Sequence, residues 1–277
     1  MLAVISLYLT TFFHHPVASP LPIFSRTYAF ARPAESSVGL RSARENALMV
    51  LDDSLHTLYE SMGLAGYELP FEAFRYGMIG YQILRSEGRL NDKNLLTIID
   101  FTQSSRNKRF YTIDLDRKAV KYHTYVSHGK NTGEDMAESF SNIVHSNQSS
   151  LGFYVTAETY IGSKGFSLKL DGPETGVNDN VRERAVVIHG AEYVSERWIR
   201  TAGRLGRSQG CPALPQGLCK DIIQTIKNNT AIFAYYKDDN YLSTSSYLNV
   251  DRLPQVQEAT QALAQHSATA SPWQPLR

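Results

Sequence analysis

The chain has little cysteine, little excess charge and no long apolar run. Two cysteines in 277 residues, Cys211 and Cys219, cannot build a disulfide framework, and without paired histidines at finger-like spacing they do not form a structural zinc site. A net charge of +1 lacks the basic surplus that a nucleic-acid footprint needs, so no nucleic-acid partner is expected. With 42% hydrophobic residues and 20% charged ones, the composition is that of a folded protein and not of a disordered chain. Its length suits one domain with flanking segments, or two small domains. The longest apolar stretch, residues 2–13 (LAVISLYLTTFF), is too short to span a bilayer and close to a signal-peptide core. Residues 1–31 are therefore expected to form a leader, cut at Ala29-Phe30-Ala31 or near Ala18 and Ser19, with the protein exported and no stable membrane span. A buried N-terminal segment is the other reading.

Two periodicities divide the rest of the chain. Leu48, Leu51, Leu55, Leu58 and Met62 recur at steps of three and four, predicting an amphipathic helix over 41–62. Phe71, Phe74, Met78 and Tyr81 repeat that spacing after Pro70 and before Gly88, predicting a second. From residue 96 the period falls to two: 111–115 and 120–126 read as a hairpin, and 151–157 and 166–170 as strands around Gly162-Ser-Lys-Gly165. Residues 185–188 (AVVI) read as a strand buried on both faces and ending at His189-Gly190. Short helices are expected at 194–202 and 216–228, and a last strand at 231–236. The predicted organisation is a helical extension over 41–95, a mainly β (α+β) domain over 96–240, and a flexible tail over 241–277 with one short helical stretch near 256–264.

Cys211 is the residue that names a chemistry. In Ser208-Gln-Gly-Cys211-Pro the glycine permits positive φ and close approach of amides to a reacting carbonyl, while Pro212 fixes the chain beyond, which suits a thiol nucleophile. A base must come from elsewhere in the fold. His189, after the buried strand and before Gly190, is the first candidate, with a core histidine bonded to a backbone carbonyl as the alternative. His128, also followed by glycine, is the rival. Cys219, inside a predicted helix, reads as a small core residue.

His189-Gly190 followed by Ser208-Gln-Gly-Cys211 is similar to the signature of the L,D-transpeptidase (YkuD-like) family, in the branch of murein L,D-transpeptidase catalytic domain proteins. The segments SSLGFYV (149–155), DFTQSS (100–105), SHGKNTG (127–133), FSN (140–142), NDNVRERAVVIHGAEYVS (178–195) and GRLGRSQGCPAL (203–214) extend the likeness, which covers about residues 70–237. Pro212-Ala213-Leu214 departs from the better-known members, which places the departure at acceptor choice. The resemblance implies an L,D-transpeptidase-type β-sandwich or barrel. It implies a Cys211 thiolate that attacks peptidoglycan stem peptides at the L-centre of diaminopimelate, with release of D-Ala, then transfer to an amine to make a 3→3 crosslink. It implies His189 as base, oriented by a carbonyl such as that of Gly190, and an oxyanion hole from the N–H groups of Cys211 and Gly210. No metal or organic cofactor is implied, and the compartment implied is the periplasm or cell envelope. Ser208 either bonds the imidazole or starts the turn. Arg204 and Arg207 could lower the thiol pKa or hold a carboxylate, and Ser150, Gly152 and Tyr154 are candidate substrate neighbours. The competing functions are an L,D-carboxypeptidase with the same residues and a non-catalytic wall-binding module with an inert Cys211.

Overall fold

The computed structural model describes residues 35–269, and their side chains over 44–262. The expected leader, residues 1–31, lies outside the described residues. Helix α1 (Glu35–Ser61) and helix α2 (Phe71–Ser86) form where the three-and-four spacing predicts them, and α2 is followed by Gly88 at φ +70°. Eight strands follow: β1 Leu95–Asp100, β2 Phe110–Asp114, β3 Ala119–Thr124, β4 Gly152–Gly162, β5 Gly165–Asp171, β6 Val187–Ala191, β7 Ala213–Pro215 and β8 Ala231–Tyr235. Between and after them lie α3 (Glu196–Ala202), α4 (Gln216–Ile226), α5 (Asp239–Thr244) and α6 (Pro254–Thr269).

The strands make one mixed sheet in the order β3-β2-β1-β8-β4-β5-β6-β7. Only β1–β8 and β6–β7 are parallel pairs. The sheet curls until its ends meet, because Ser127, three residues past β3, bridges Ala213 of β7, and Gly129 bridges Ser208. This seam is the place in the fold that positions the cysteine turn.

One face of the sheet packs on α1 and α2. Leu51, Leu55, Phe74, Met78, Phe153 and Phe233 share a single buried cluster, with the Phe153 and Phe233 rings stacked at 4.4 Å. Gly80 permits this approach, since a methyl there would overlap the Phe153 ring. The other face carries α4, whose Cys219, Ile222, Ile223 and Ile226 pack against Ile188 and Leu214. The helical extension thus shares its core with the sheet and is not a separate layer.

Two expectations are corrected. The buried strand begins at Val187 and runs through His189 to Ala191, because Ala185 takes a left-handed conformation (φ +50°) and closes the preceding turn. His189 therefore stands inside a strand and is 4% exposed, not at an uncrowded strand end. The segment from 241 is not a flexible tail over its described part. Tyr241, Tyr247, Leu248, Leu253 and Val256 enter the same core as α2, and α6 lies against α1. A buried carboxylate fixes this segment: Glu174 accepts hydrogen bonds from Phe153 N, Tyr241 Oη (3.0 Å) and Ser245 Oγ.

Candidate active site

Residues 206–212 leave the sheet seam as a turn stitched at each step. Ser208 N donates to His128 O at 2.9 Å, and Lys130 N donates to Ser208 O at 2.8 Å. The Ser208 hydroxyl donates to Cys211 O (2.6 Å) and accepts from Gly210 N (3.1 Å). Gly210 sits at φ +119°, a region costly for any side chain, and Ser149 Oγ donates to its carbonyl at 3.2 Å. The serine is thus a turn former, and among the described residues its hydroxyl makes no bond to an imidazole. The same geometry corrects the expected oxyanion pair: the Gly210 N–H is spent on Ser208, and Cys211 N alone is left without a protein partner among the described residues.

The Cys211 sulfur is seated against the start of β6. Val187 N donates to Sγ at 3.4 Å, and the thiol points to Ala185 O at 3.7 Å. Burial pushes the thiol above its ordinary pKa, against the Val187 N–H and the charges of Arg184 and Lys164, which favour the thiolate. At neutral pH the free protein therefore holds a protonated thiol.

His189 lies two residues along β6 from Val187 and on the same side of the strand, an advance of about 6.6 Å. The parallel pairing sets His189 opposite Ala213, two residues beyond the cysteine. His189 Nδ1 is 3.0 Å from Gly190 O. A carbonyl can only accept, so Nδ1 carries the proton and Nε2 is the free base. Nε2 has no protein partner among the described residues and is not fully enclosed. Burial lowers the imidazole pKa, with Lys164 acting the same way and the Gly190 carbonyl opposing, so the ring is neutral at pH 7. No hydrogen bond joins Sγ to the ring among the described residues. To meet Nε2 the thiol would have to turn away from Ala185 O.

His128 is built for another purpose. It is 1% exposed, with Nδ1 accepting from Arg109 Nη2 (2.7 Å) and Nε2 donating to Gly133 O (3.2 Å). Both ring nitrogens are occupied, and burial next to that guanidinium pushes its pKa down to about 3. Arg109, fully buried, also donates to Val126 O and Gln103 O, and so supports the strand-end segment whose His128 carbonyl holds Ser208.

The remaining candidates fall into separate groups. Arg204 and Arg207 both pair with Glu134, at 2.9 and 2.7 Å, and the cations whose charge reaches the thiol are Arg184 and Lys164 instead. Ser150 is 2% exposed, its hydroxyl bonded to Ser141 O and to Arg184. Tyr154 is buried and donates to Ser150 O at 2.8 Å. Gly152 is pressed on Glu174, whose carboxylate a methyl at this position would overlap. These three are buried and engaged with protein partners. Arg184 was not singled out by sequence reasoning, since an arginine in Arg-Glu-Arg-Ala carries no local signal that separates it from a solvated one. Cys219 is buried, its thiol pushed up to about 12 by desolvation. Among the described residues no group of three or more His, Cys, Asp or Glu side chains could hold a metal ion, and no helix is long and apolar enough to cross a membrane.

No curated protein matches the chain by sequence. Among solved structures, the chain is similar to an L,D-transpeptidase from Mycobacterium smegmatis (12% identity, TM-score 0.32, 52% of this chain and 59% of that one). It is also similar to one from Mycobacterium tuberculosis H37Rv (13%, 0.31, 52% and 58%) and one from Stackebrandtia nassauensis (13%, 0.31, 66% and 76%). The chain thus spans under two thirds of the length of the first two. A family model described as L,D-transpeptidase catalytic domain matches residues 66–235, more than half of the sequence and all of the curled sheet. The chain belongs to the L,D-transpeptidase catalytic domain family.

Proposed function

We propose that the protein is a peptidoglycan L,D-transpeptidase in which Cys211 is the nucleophile and His189 the general base. The observation that carries this reading is the seating of Cys211 Sγ on Val187 N–H, two residues along β6 from an imidazole whose Nδ1 is pinned to Gly190 O. A neutral thiol beside a neutral imidazole is the resting state from which a base can take the thiol proton as sulfur attacks. Attack falls on the carbonyl of the L-centre of diaminopimelate in a tetrapeptide stem. The developing oxyanion is met by Cys211 N–H, a donor of a kind typically worth about 3 kcal/mol in the transition state. His189 then protonates the departing amine of D-Ala, leaving a thioester on Cys211. An amine of a second stem, deprotonated by the same imidazole, resolves it to a 3→3 crosslink. Lys164, on the hairpin tip between β4 and β5 and without an ion-pair partner among the described residues, is the cation left to meet a substrate carboxylate. The substrate requires work in the cell envelope, after export directed by the leader expected in residues 1–31.

Purified tetrapeptide muropeptides test the reading by mass analysis of the products. Crosslinked dimer with free D-Ala, absent in Cys211→Ala, is the expected outcome. Tripeptide alone would make the protein an L,D-carboxypeptidase, and unchanged substrate would leave it a binding module.

A further inference from the structure

Beside the thiol lies an arginine that the proposed mechanism does not use. Arg184 is half-buried, immediately before Ala185, whose carbonyl meets the Cys211 thiol at 3.7 Å. Nη1 donates to Ser141 O (2.6 Å) and to Ser150 Oγ, and Nη2 donates to Gln148 O and to Ser146 Oγ (3.2 Å). Four bonds thus run from one guanidinium to the ends and middle of a single loop, 141–150. That loop touches the cysteine turn directly. A methyl on Gly210 would sit 2.8 Å from Gln148 O and 3.4 Å from Arg184 Nη2, and Ser149 Oγ donates to Gly210 O.

We propose that Arg184 is a positioning residue for Cys211, clamping the 141–150 loop against the cysteine turn and holding a fixed positive charge beside the sulfur. The proposal rests on the reading of Cys211 as the nucleophile and adds a group that favours its thiolate. Geometry separates Arg184 from the other cations nearby. Arg204 and Arg207 are spent on Glu134, and Lys164 is exposed on a hairpin tip where solvent screens it. The planar guanidinium reaches four acceptors on the loop at once, whereas an ammonium in its place would keep the charge and lose most of those bonds. Because its hydrogen bonds all go to protein oxygens, Arg184 acts through the cysteine and the loop and does not bind substrate. The titratable groups around the sulfur are then Arg184, Lys164 and the phenols of Tyr154 and Tyr193, with His189 two residues along β6 from the Val187 N–H that meets the sulfur. Both phenols are held in their neutral form by burial, Tyr193 up to about 12, so neither supplies charge at working pH.

The test is the pH dependence of Cys211 alkylation by iodoacetamide, a neutral probe that needs no peptidoglycan activity, in the full chain carrying Cys219→Ala. Arg184→Met is expected to raise the thiol pKa by about one unit, slowing alkylation about tenfold below that pKa. Arg184→Lys keeps the charge and loses most of the clamp. It is expected to leave the thiol profile near that of the parent while amide exchange in 141–150 quickens. A parent-like profile in Arg184→Met overturns the proposal. So does a profile in Arg184→Lys shifted upward by about a unit, and this second variant decides the matter if the methionine variant does not fold. Because alkylation reports the thiol alone, a failure here is separable from failure of the transpeptidase reading, which would appear as inert muropeptides with the thiol profile intact.

Discussion

Two His-Gly pairs stand at the closing seam of the sheet, and they have opposite fates. His128-Gly129 follows β3 and His189-Gly190 lies within β6, and both rings are nearly inaccessible. What separates them is the company of Nδ1. At His128 a buried guanidinium donates to it, which forces the proton onto Nε2, consumes that proton on Gly133 O and makes a second positive charge intolerable. At His189 a carbonyl accepts from Nδ1, which leaves Nε2 as a free base. The same dipeptide is scaffold in one place and a candidate catalyst in the other, and the His-Gly pair by itself does not tell which. Burial alone does not make a histidine inert; full use of both nitrogens does.

The largest effect expected from breaking this contrast is on rate. His189→Gln should lower acylation by a factor of about 10²–10⁴, the usual worth of a general base, with the fold intact by circular dichroism. Stability should be the casualty on the other side. Arg109→Met leaves His128 Nδ1, Val126 O and Gln103 O without their donor and should cost about 3 kcal/mol in a denaturant titration. A smaller effect comes from proton linkage at His128. Folded, it stays neutral down to about 3, whereas in the unfolded chain it titrates near 6.5. As pH falls below 6.5 only the unfolded chain takes up this proton, so stability is lost on acidification, by about 2 kcal/mol between pH 7 and pH 5. His128→Gln should flatten that slope, and an unchanged slope would show that the ring is not held neutral. The smallest effect belongs to the exposed ion pairs at the rim: Arg204→Ala should change stability by under about 1 kcal/mol and leave thiol alkylation untouched.

Much of the frame could be read from residue spacing, because three-and-four and two-residue periods record which face is buried. The helix ending before Gly88 and the Gly162–Gly165 turn were legible for that reason. The start of β6 was not. A continuous apolar run does not say where a strand begins, and the left-handed turn at Ala185, a residue with no preference for it, moves the strand two positions on. The C-terminal segment was misread because tyrosines and one buried carboxylate from a distant loop anchor it, in place of a periodic aliphatic face. At the site, the glycines and the family resemblance mark Cys211 and His189 as candidates in the sequence. The hydrogen bonds that assign the neighbours did not. Whether an arginine faces Glu134, as Arg204 and Arg207 do, or a loop and a thiol, as Arg184 does, is decided by contacts between residues as far as 73 positions apart.

That Cys211 and His189 form the reacting pair is tested most directly by intact-mass measurement after incubation with a carbapenem. The expected result is one acyl adduct on the parent and none on Cys211→Ala, with formation strongly slowed in His189→Gln and unslowed in a folded His128→Gln. An adduct that persists in Cys211→Ala, or acylation slowed by His128→Gln and not by His189→Gln, would contradict the pairing.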